Sequence, residues 1–172
     1  MDRRRATDDD PYNRLVGLLT PVAIRLGALK WLPRFLPQIT WVDRTLSRLT
    51  GGRVTLVRLA GLPSLELTVV GRKSGVARTT PVLCVPYRDS FLVAGSNFGG
   101  PTLPVWVLNV RSADTVQLRV NGKQLTAAPR EVTGDEREVA WEHMLKTWPN
   151  YAKYAERADR VIPVFEFAPV AA

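Results

Sequence analysis

Cysteine and histidine are almost missing: the 172 residues hold one of each, Cys84 and His143. A single cysteine excludes an internal disulfide and any CxxC-type metal site. A single histidine excludes a multi-histidine metal centre, and no metal site is expected. Neither GxSxG nor GxxxxGK[ST] occurs, so the hydrolase elbow and the Walker phosphate loop are both absent. No run of 18 apolar residues appears, so no helix of spanning length is evident. The Arg3-Arg4-Arg5 triplet is not followed by an apolar stretch and a small-residue cleavage site. No signal peptide is therefore read, and a cytoplasmic location is the default.

What is present suits one globular domain: 45% hydrophobic residues, enough for a core, and 23% charged residues. Basic residues are in excess, 24 against 16 acidic, for a net charge of +8. The excess is uneven. Residues 1–60 hold 11 basic and 5 acidic residues, net +6, and residues 61–172 hold 13 and 11, net +2. Such a balance speaks of anionic partners, not of fold.

Residues 1–10 are polar and read as a frayed terminus. Residues 11–50 are predicted helical but broken by Pro21, Pro33 and Pro37, with Gly51-Gly52 as a stop. They mix Trp31, Phe35, Trp41 and several leucines with basic residues. Strands are predicted at Val54–Leu59, Leu65–Val70, Thr79–Tyr87 and Phe91–Ser96, with a short helix over Pro104–Arg111. Asn121-Gly122 joins Thr115–Val120 to Gln124–Val132 as a hairpin. Thr133 and Glu136 have capping-box spacing, which starts a helix running from Asp135 to Trp148. Pro149 stops it, a helical piece covers Tyr151–Arg157, and Val161–Phe167 is a last strand that Pro163 places at an edge. Strands that follow strands through short turns argue for an antiparallel barrel with added helices.

Three segments have the composition of a site. Gly71-Arg72-Lys73-Ser74-Gly75, followed by Arg78-Thr79-Thr80, combines turning glycines, cations and hydroxyl donors, the mixture phosphate oxygens take. A solvated basic turn is the plain alternative. Gly95-Ser96-Asn97-Phe98-Gly99-Gly100 leaves a strand end with small residues, against which a flat ring could lie. Trp106 and Asn109 share a face of the next helix, and a core role for Trp106 is the alternative. Trp148, Tyr151 and Tyr154 form an aromatic stripe that also offers two phenol hydroxyls, protonated at neutral pH. Cys84 reads as a buried small hydrophobe and His143 as a partly exposed helix residue. No set of general bases is assembled, which favours chemistry carried by a bound cofactor.

The runs GRKSGxxRTTP at 71–81, GSNFGGPTLPVWVLN at 95–109, WPNYAKY at 148–154 and IPVFEF at 162–167 together resemble the deazaflavin (F420)-dependent nitroreductase and quinone reductase family of actinobacteria. The resemblance covers residues 50–172. It implies an α+β fold, a split β-barrel of the flavin-reductase, FMN-binding type. Six to seven mostly antiparallel strands would form a cofactor-binding domain at 51–172, with a helical extension at 1–50. It implies that Arg72, Lys73, Ser74, Gly75, Arg78, Thr79 and Thr80 hold the F420 phosphate. The ring would lie along Ala94, Gly95, Ser96 and Asn97 and against Val105, Trp106, Val107 and Asn109. Ser96, Tyr151, Tyr154 and Trp148 would face the acceptor, Trp148 standing where some members have another tyrosine. The implied reaction is hydride transfer from reduced F420 to a quinone-like or nitroaromatic acceptor.

Alternatives from other classes stay open. The same barrel could hold FMN, haem or biliverdin. A non-catalytic basic protein is a further alternative, although no nucleic-acid motif is present and no nucleic-acid partner is expected. Residues 11–50 suit an anionic membrane surface, which would make the protein peripheral on the inner face of the membrane. Packing of that segment on the barrel or on a second subunit is the simpler reading. A homodimer is expected only by analogy.

Overall fold

The computed structural model describes residues 21, 24, 25, 27–29, 35–50 and 61–170. The predicted strand Val54–Leu59, residues 1–10 and most of the stretch 11–34 lie outside these residues. Helix α1 spans Leu36–Leu49 and ends just before the predicted Gly51-Gly52 stop. The strands are β1 (Ser64–Val70), β2 (Ala77–Leu83), β3 (Val85–Tyr87), β4 (Ser90–Ala94), β5 (Val116–Val120), β6 (Lys123–Val132) and β7 (Val164–Pro169). Helix α2 (Val105–Val110) joins β4 to β5, and α3 (Gly134–Thr147) with α4 (Asn150–Ala158) joins β6 to β7.

All seven strands form one antiparallel sheet in the order β2-β1-β5-β6-β7-β4-β3. The two edge strands, β2 and β3, are consecutive in the chain and separated by Cys84 alone. A sheet whose opposite edges are joined by one residue has to curl until those edges approach, and β2 does come against β4. The fold is a split β-barrel with helices added, as the sequence implied.

Four expectations are corrected in detail. Thr79–Tyr87 is two strands, because the chain changes edge at Cys84, whose N–H donates to the Pro63 carbonyl at 3.0 Å. The last strand starts at Val164 and lies inside the sheet, between β6 and β4. Pro163 precedes it, so its missing N–H weakens no ladder, and its carbonyl accepts the Gly95 N–H at 2.9 Å. The capping box does not close: Thr133 has the extended backbone of an N-cap but makes no side-chain cap bond. Glu136 is instead held by both amino groups of Arg130, at 2.6 and 2.7 Å. The hairpin is as predicted. Asn121 (φ 50°) and Gly122 (φ 81°) take the two left-handed positions that a type I′ turn requires.

The core has two parts. Alternate residues Leu65, Leu67 and Val69 of β1 turn inward to meet Phe165 and Phe167 of β7 and Val107 of α2. Leu92, Val164 and Met144 join the faces of α3 and α4 in the second part. Each of these fully buried side chains contributes about 1.5–3 kcal/mol relative to exposure. The loop after β4 runs between the two parts, and the candidate site is built there.

Candidate cofactor and active site

The basic loop connects β1 to β2 as a tight turn. The Gly71 N–H donates to Val76 O at 2.9 Å, and the Ser74 and Gly75 amides donate back to Gly71 O at 3.1 and 2.8 Å. Gly75 has φ +65°, so a residue without Cβ closes the turn. Arg72, Lys73, Ser74, Gly75 and Arg78 are exposed and Thr80 is half-buried. Among the described residues, Arg72, Lys73 and Arg78 form no ion pair with a carboxylate. An unneutralised triad of cations around a glycine turn fits a phosphate, to which each charge-assisted bond would contribute about 1.5–3 kcal/mol.

Thr79 is set apart from this group. β2 pairs with β1 so that Arg78 lies opposite Val69 and Thr80 opposite Leu67, both inward-facing residues. Thr79 pairs with Thr68 on the other face, and their hydroxyls meet at 2.7 Å. Strand alternation therefore turns the Thr79 hydroxyl away from Arg78 and Thr80.

Helix α2 ties the basic loop to the loop after β4. The Arg72 N–H donates to Asn109 Oδ1 at 3.2 Å, and Asn109 is buried. Two residues earlier, Val107 packs so closely on Gly95 that a Cβ there would lie 2.7 Å from Val107 Cγ2. Val105 is exposed, whereas Trp106 is 9% exposed and meets Phe165 edge-on at 5.9 Å. The Trp106 ring is thus a core ring, because the inward face of this short helix carries it toward β7. Ala94 and Gly95 are buried, and Ser96 and Asn97 half-buried. Beyond them the backbone is left-handed at Asn97 (φ 50°), Phe98 (φ 53°) and Gly99 (φ 78°). For a bulky residue such as Phe98 this conformation is strained. Phe98 is held by its ring against Tyr154, centroids 5.8 Å apart.

Trp148, Tyr151 and Tyr154 are brought together, and all three are buried. Burial raises the Tyr151 phenol well above its ordinary value. Burial also pushes Tyr154 up to about 12, against the opposing hydrogen bond to Trp148 and the charge of Arg157. Both phenols are therefore protonated at neutral pH. The Tyr154 hydroxyl donates to Gly27 O at 3.1 Å. Around it, Asn150 Nδ2 donates to Ile24 O at 2.7 Å and Arg157 donates to Leu29 O at 3.3 Å and to Ala28 O. Ile24 and Gly27–Leu29 are thus strapped across α4, with Gly27 against Trp148 and Asn150, where any Cβ would clash.

Asn150, Arg157 and Arg160 escaped the sequence reading. Asn150 and Arg157 look like ordinary helix residues, and their acceptors lie 126 to 129 positions earlier in the chain. Arg160 gathers loop carbonyls 58 to 65 positions away. No local pattern marks such residues. Among the described residues no group of three or more His, Cys, Asp or Glu could hold a metal, and no helix is long and apolar enough to cross a membrane.

Comparison with known proteins shows the family and the fold. The model of the F420H(2)-dependent quinone reductase family matches residues 41–169. F420H(2)-dependent quinone reductase Rv1261c of Mycobacterium tuberculosis is 30% identical over 105 residues, 59% of this chain and 70% of that protein. A solved F420-H2 dependent reductase, FDR-A, superposes with a TM-score of 0.57 at 35% identity, covering 61% of this chain and 93% of that one. A second solved chain, described as a domain-swapped dimer, gives a TM-score of 0.59 at 33% identity, covering 74% and 96%.

Proposed function

We propose that this chain, which belongs to the F420H(2)-dependent quinone reductase family, reduces a quinone, with nitroaromatics as a second class of acceptor. Its cofactor is F420, and when bound the reduced form supplies the hydride. The observation that carries the reading is the cluster of unpaired, exposed Arg72, Lys73 and Arg78 on a loop anchored to α2 through Asn109. That cluster fits the phosphate of F420, with Ser74 and Thr80 as hydroxyl donors. Ala94, Gly95, Ser96 and Asn97 would back the ring, with Val105 and the α2 backbone at Trp106 and Val107 beside it. Ser96 would hydrogen-bond the acceptor oxygen, and Tyr151, with Tyr154 and Trp148 adjacent, would join it once the chain that buries these three rings moves aside. The protein's contribution is orientation and a fixed set of dipoles. Use of the Tyr154 proton requires Gly27 to release its hydroxyl.

The division into a helical extension at 1–50 and a cofactor-binding domain at 51–172 is part of the same proposal. So is a homodimer, supported by the dimeric description of one solved relative; sedimentation equilibrium tests it. The exposed Trp41 (69%) and Leu49 (79%) on α1, with the +6 charge of residues 1–60, support contact with an anionic membrane surface. Unchanged vesicle co-sedimentation after removal of residues 1–50 would refute that contact.

The central test follows oxidation of reduced F420 by menadione, with Tyr151→Phe and Lys73→Ala alongside. Binding of F420 with turnover in the wild type is expected, and absence of both refutes the reading. Unchanged F420 affinity in Lys73→Ala refutes the phosphate assignment. Titration with FMN, followed by absorbance, separates the flavin alternative.

A further inference from the structure

Arg160 follows α4 and is absorbed by nothing described above. Its Nη2 atom lies 3.3 Å from Gly95 O, 3.2 Å from Ser96 O, 3.3 Å from Gly100 O and 3.2 Å from Thr102 O. The two N–H groups of one amino nitrogen are thus shared among four carbonyls of a single loop. Nη1 adds a contact of 3.5 Å to its neighbour Val161 O. The side chain is committed to this place: its Nε is buried without a hydrogen-bond partner among the described residues. Asn97 Nδ2 also donates to Thr102 O, at 3.0 Å, and so shares one of the same acceptors.

Peptide geometry gives the consequence. In a trans peptide C=O and N–H point in opposite directions, and no peptide among the described residues is cis. With the Gly95 and Ser96 carbonyls facing Arg160, the N–H groups of Ser96 and Asn97 face away from it. Neither amide has a hydrogen-bond partner among the described residues. Ser96 is right-handed (φ −75°, ψ −33°) and Asn97 has φ 50°. A right-then-left succession turns consecutive N–H groups into one concavity suited to an electronegative atom. A cation on the carbonyl side of a peptide also polarises the N–H on its other side. Without this donor the Gly95 and Gly100 oxygens are left against those of Ser96 and Thr102, which keep the Gly99 N–H and Asn97 Nδ2, and the converging oxygens repel one another.

We propose that Arg160 is a positioning residue: by holding the carbonyls of Gly95, Ser96, Gly100 and Thr102, it fixes the Ser96 and Asn97 amides toward the bound ring or its acceptor. The proposal rests on the function above for what the loop faces, but the clamp itself is a property of the free protein. The four acceptors share the N–H groups of one nitrogen, so a lysine ammonium, with three N–H groups, can serve them. This differs from a bidentate arginine site, where lysine does not substitute.

The test compares Arg160→Met and Arg160→Lys with the wild type in three readouts. Hydrogen exchange at amides 96–102 in the cofactor-free protein should quicken by about tenfold or more in R160M and stay within about threefold of wild type in R160K. The dissociation constant for F420, from fluorescence quenching, should rise about tenfold in R160M and recover in R160K. The R160M kcat should fall by about tenfold while the KM for menadione moves less than about threefold. Unchanged exchange in folded R160M overturns the clamp. Faster exchange with unchanged F420 affinity and kcat overturns the positioning role. If R160M does not fold, R160K decides: wild-type exchange and affinity support the clamp, and loss of both in a folded R160K overturns it. Failure of the wild type to bind F420 refutes the proposed function and leaves the exchange arm to judge the clamp.

Discussion

Gly95→Ala is the substitution whose sign the structure decides most sharply. Gly95 does not use the left-handed region, so an alanine there has no backbone penalty. By that criterion alone the change would stabilise by about 0.4–1 kcal/mol, through a less flexible unfolded chain. The neighbours reverse the sign. The new Cβ would lie 2.7 Å from Val107 Cγ2 and 2.9 Å from Pro163 Cγ, where ordinary contact begins at 3.4 Å. Val107 is fully buried, and Pro163 is a rigid ring whose carbonyl holds the Gly95 N–H. Neither can retreat without moving α2 or the start of β7. Forcing an extra carbon into such a site costs about 1–3 kcal/mol, and two contacts below 3.0 Å put the cost in the upper half of that range, leaving a net loss of about 1–2 kcal/mol. For a chain of this size that lowers Tm by about 2–8 °C. Thermal unfolding followed by circular dichroism reads this directly. Val107→Ala removes the methyl group that clashes, so Gly95→Ala should cost about 1 kcal/mol less in that background. A Tm for Gly95→Ala at or above wild type, or strict additivity in the double variant, would refute the reasoning.

Arg130→Met tests the Glu166 carboxylate. Burial raises the Glu166 pKa, but the bonds from Ser90 and Arg130 outweigh it and hold the group below its ordinary value. Its stabilisation is therefore present above the unfolded pKa of about 4.3 and is lost as pH falls through the lower folded value. Arg130→Met should cost about 1 kcal/mol near neutrality, discounted for a cation that is 51% exposed, and should move acid unfolding to higher pH. An unchanged acid midpoint sinks this. On β2, Arg78→Ala should weaken F420 binding about tenfold, while Thr79→Val should leave it within about twofold because its hydroxyl faces Thr68. Equal losses would show that strand alternation does not sort these residues. Burial pushes the Cys84 thiol up to about 12, so at pH 8 it should react with a thiol reagent only on unfolding. Rapid labelling of the folded protein would contradict that.

Much of the scaffold was legible because it is written in neighbouring residues. Asn121-Gly122 needs two left-handed positions and takes them, and the helix ends before Pro149. β1 shows its inward face in the alternation Leu65, Leu67, Val69. The failures are equally physical. Thr133 and Glu136 have the right spacing for a capping box, yet Arg130, out on β6, offers Glu136 a charge-assisted pair that a backbone amide does not match. Pro163 looked like an edge signal because proline lacks a donor, but it stands before β7 and serves as an acceptor.

The sequence by itself determined the sparse chemistry, with one cysteine and one histidine, and it determined the basic glycine turn and the order of the motifs. It also placed +6 of the charge in residues 1–60. Tertiary structure alone decided that β2 and β3 become opposite edges joined at Cys84, that the Tyr154 hydroxyl meets Gly27, and that Arg160 reaches the loop at 95–102. The physical reason is range. Turn chemistry and periodicity act over a few residues, whereas these contacts depend on how far the whole sheet curls before its edges meet.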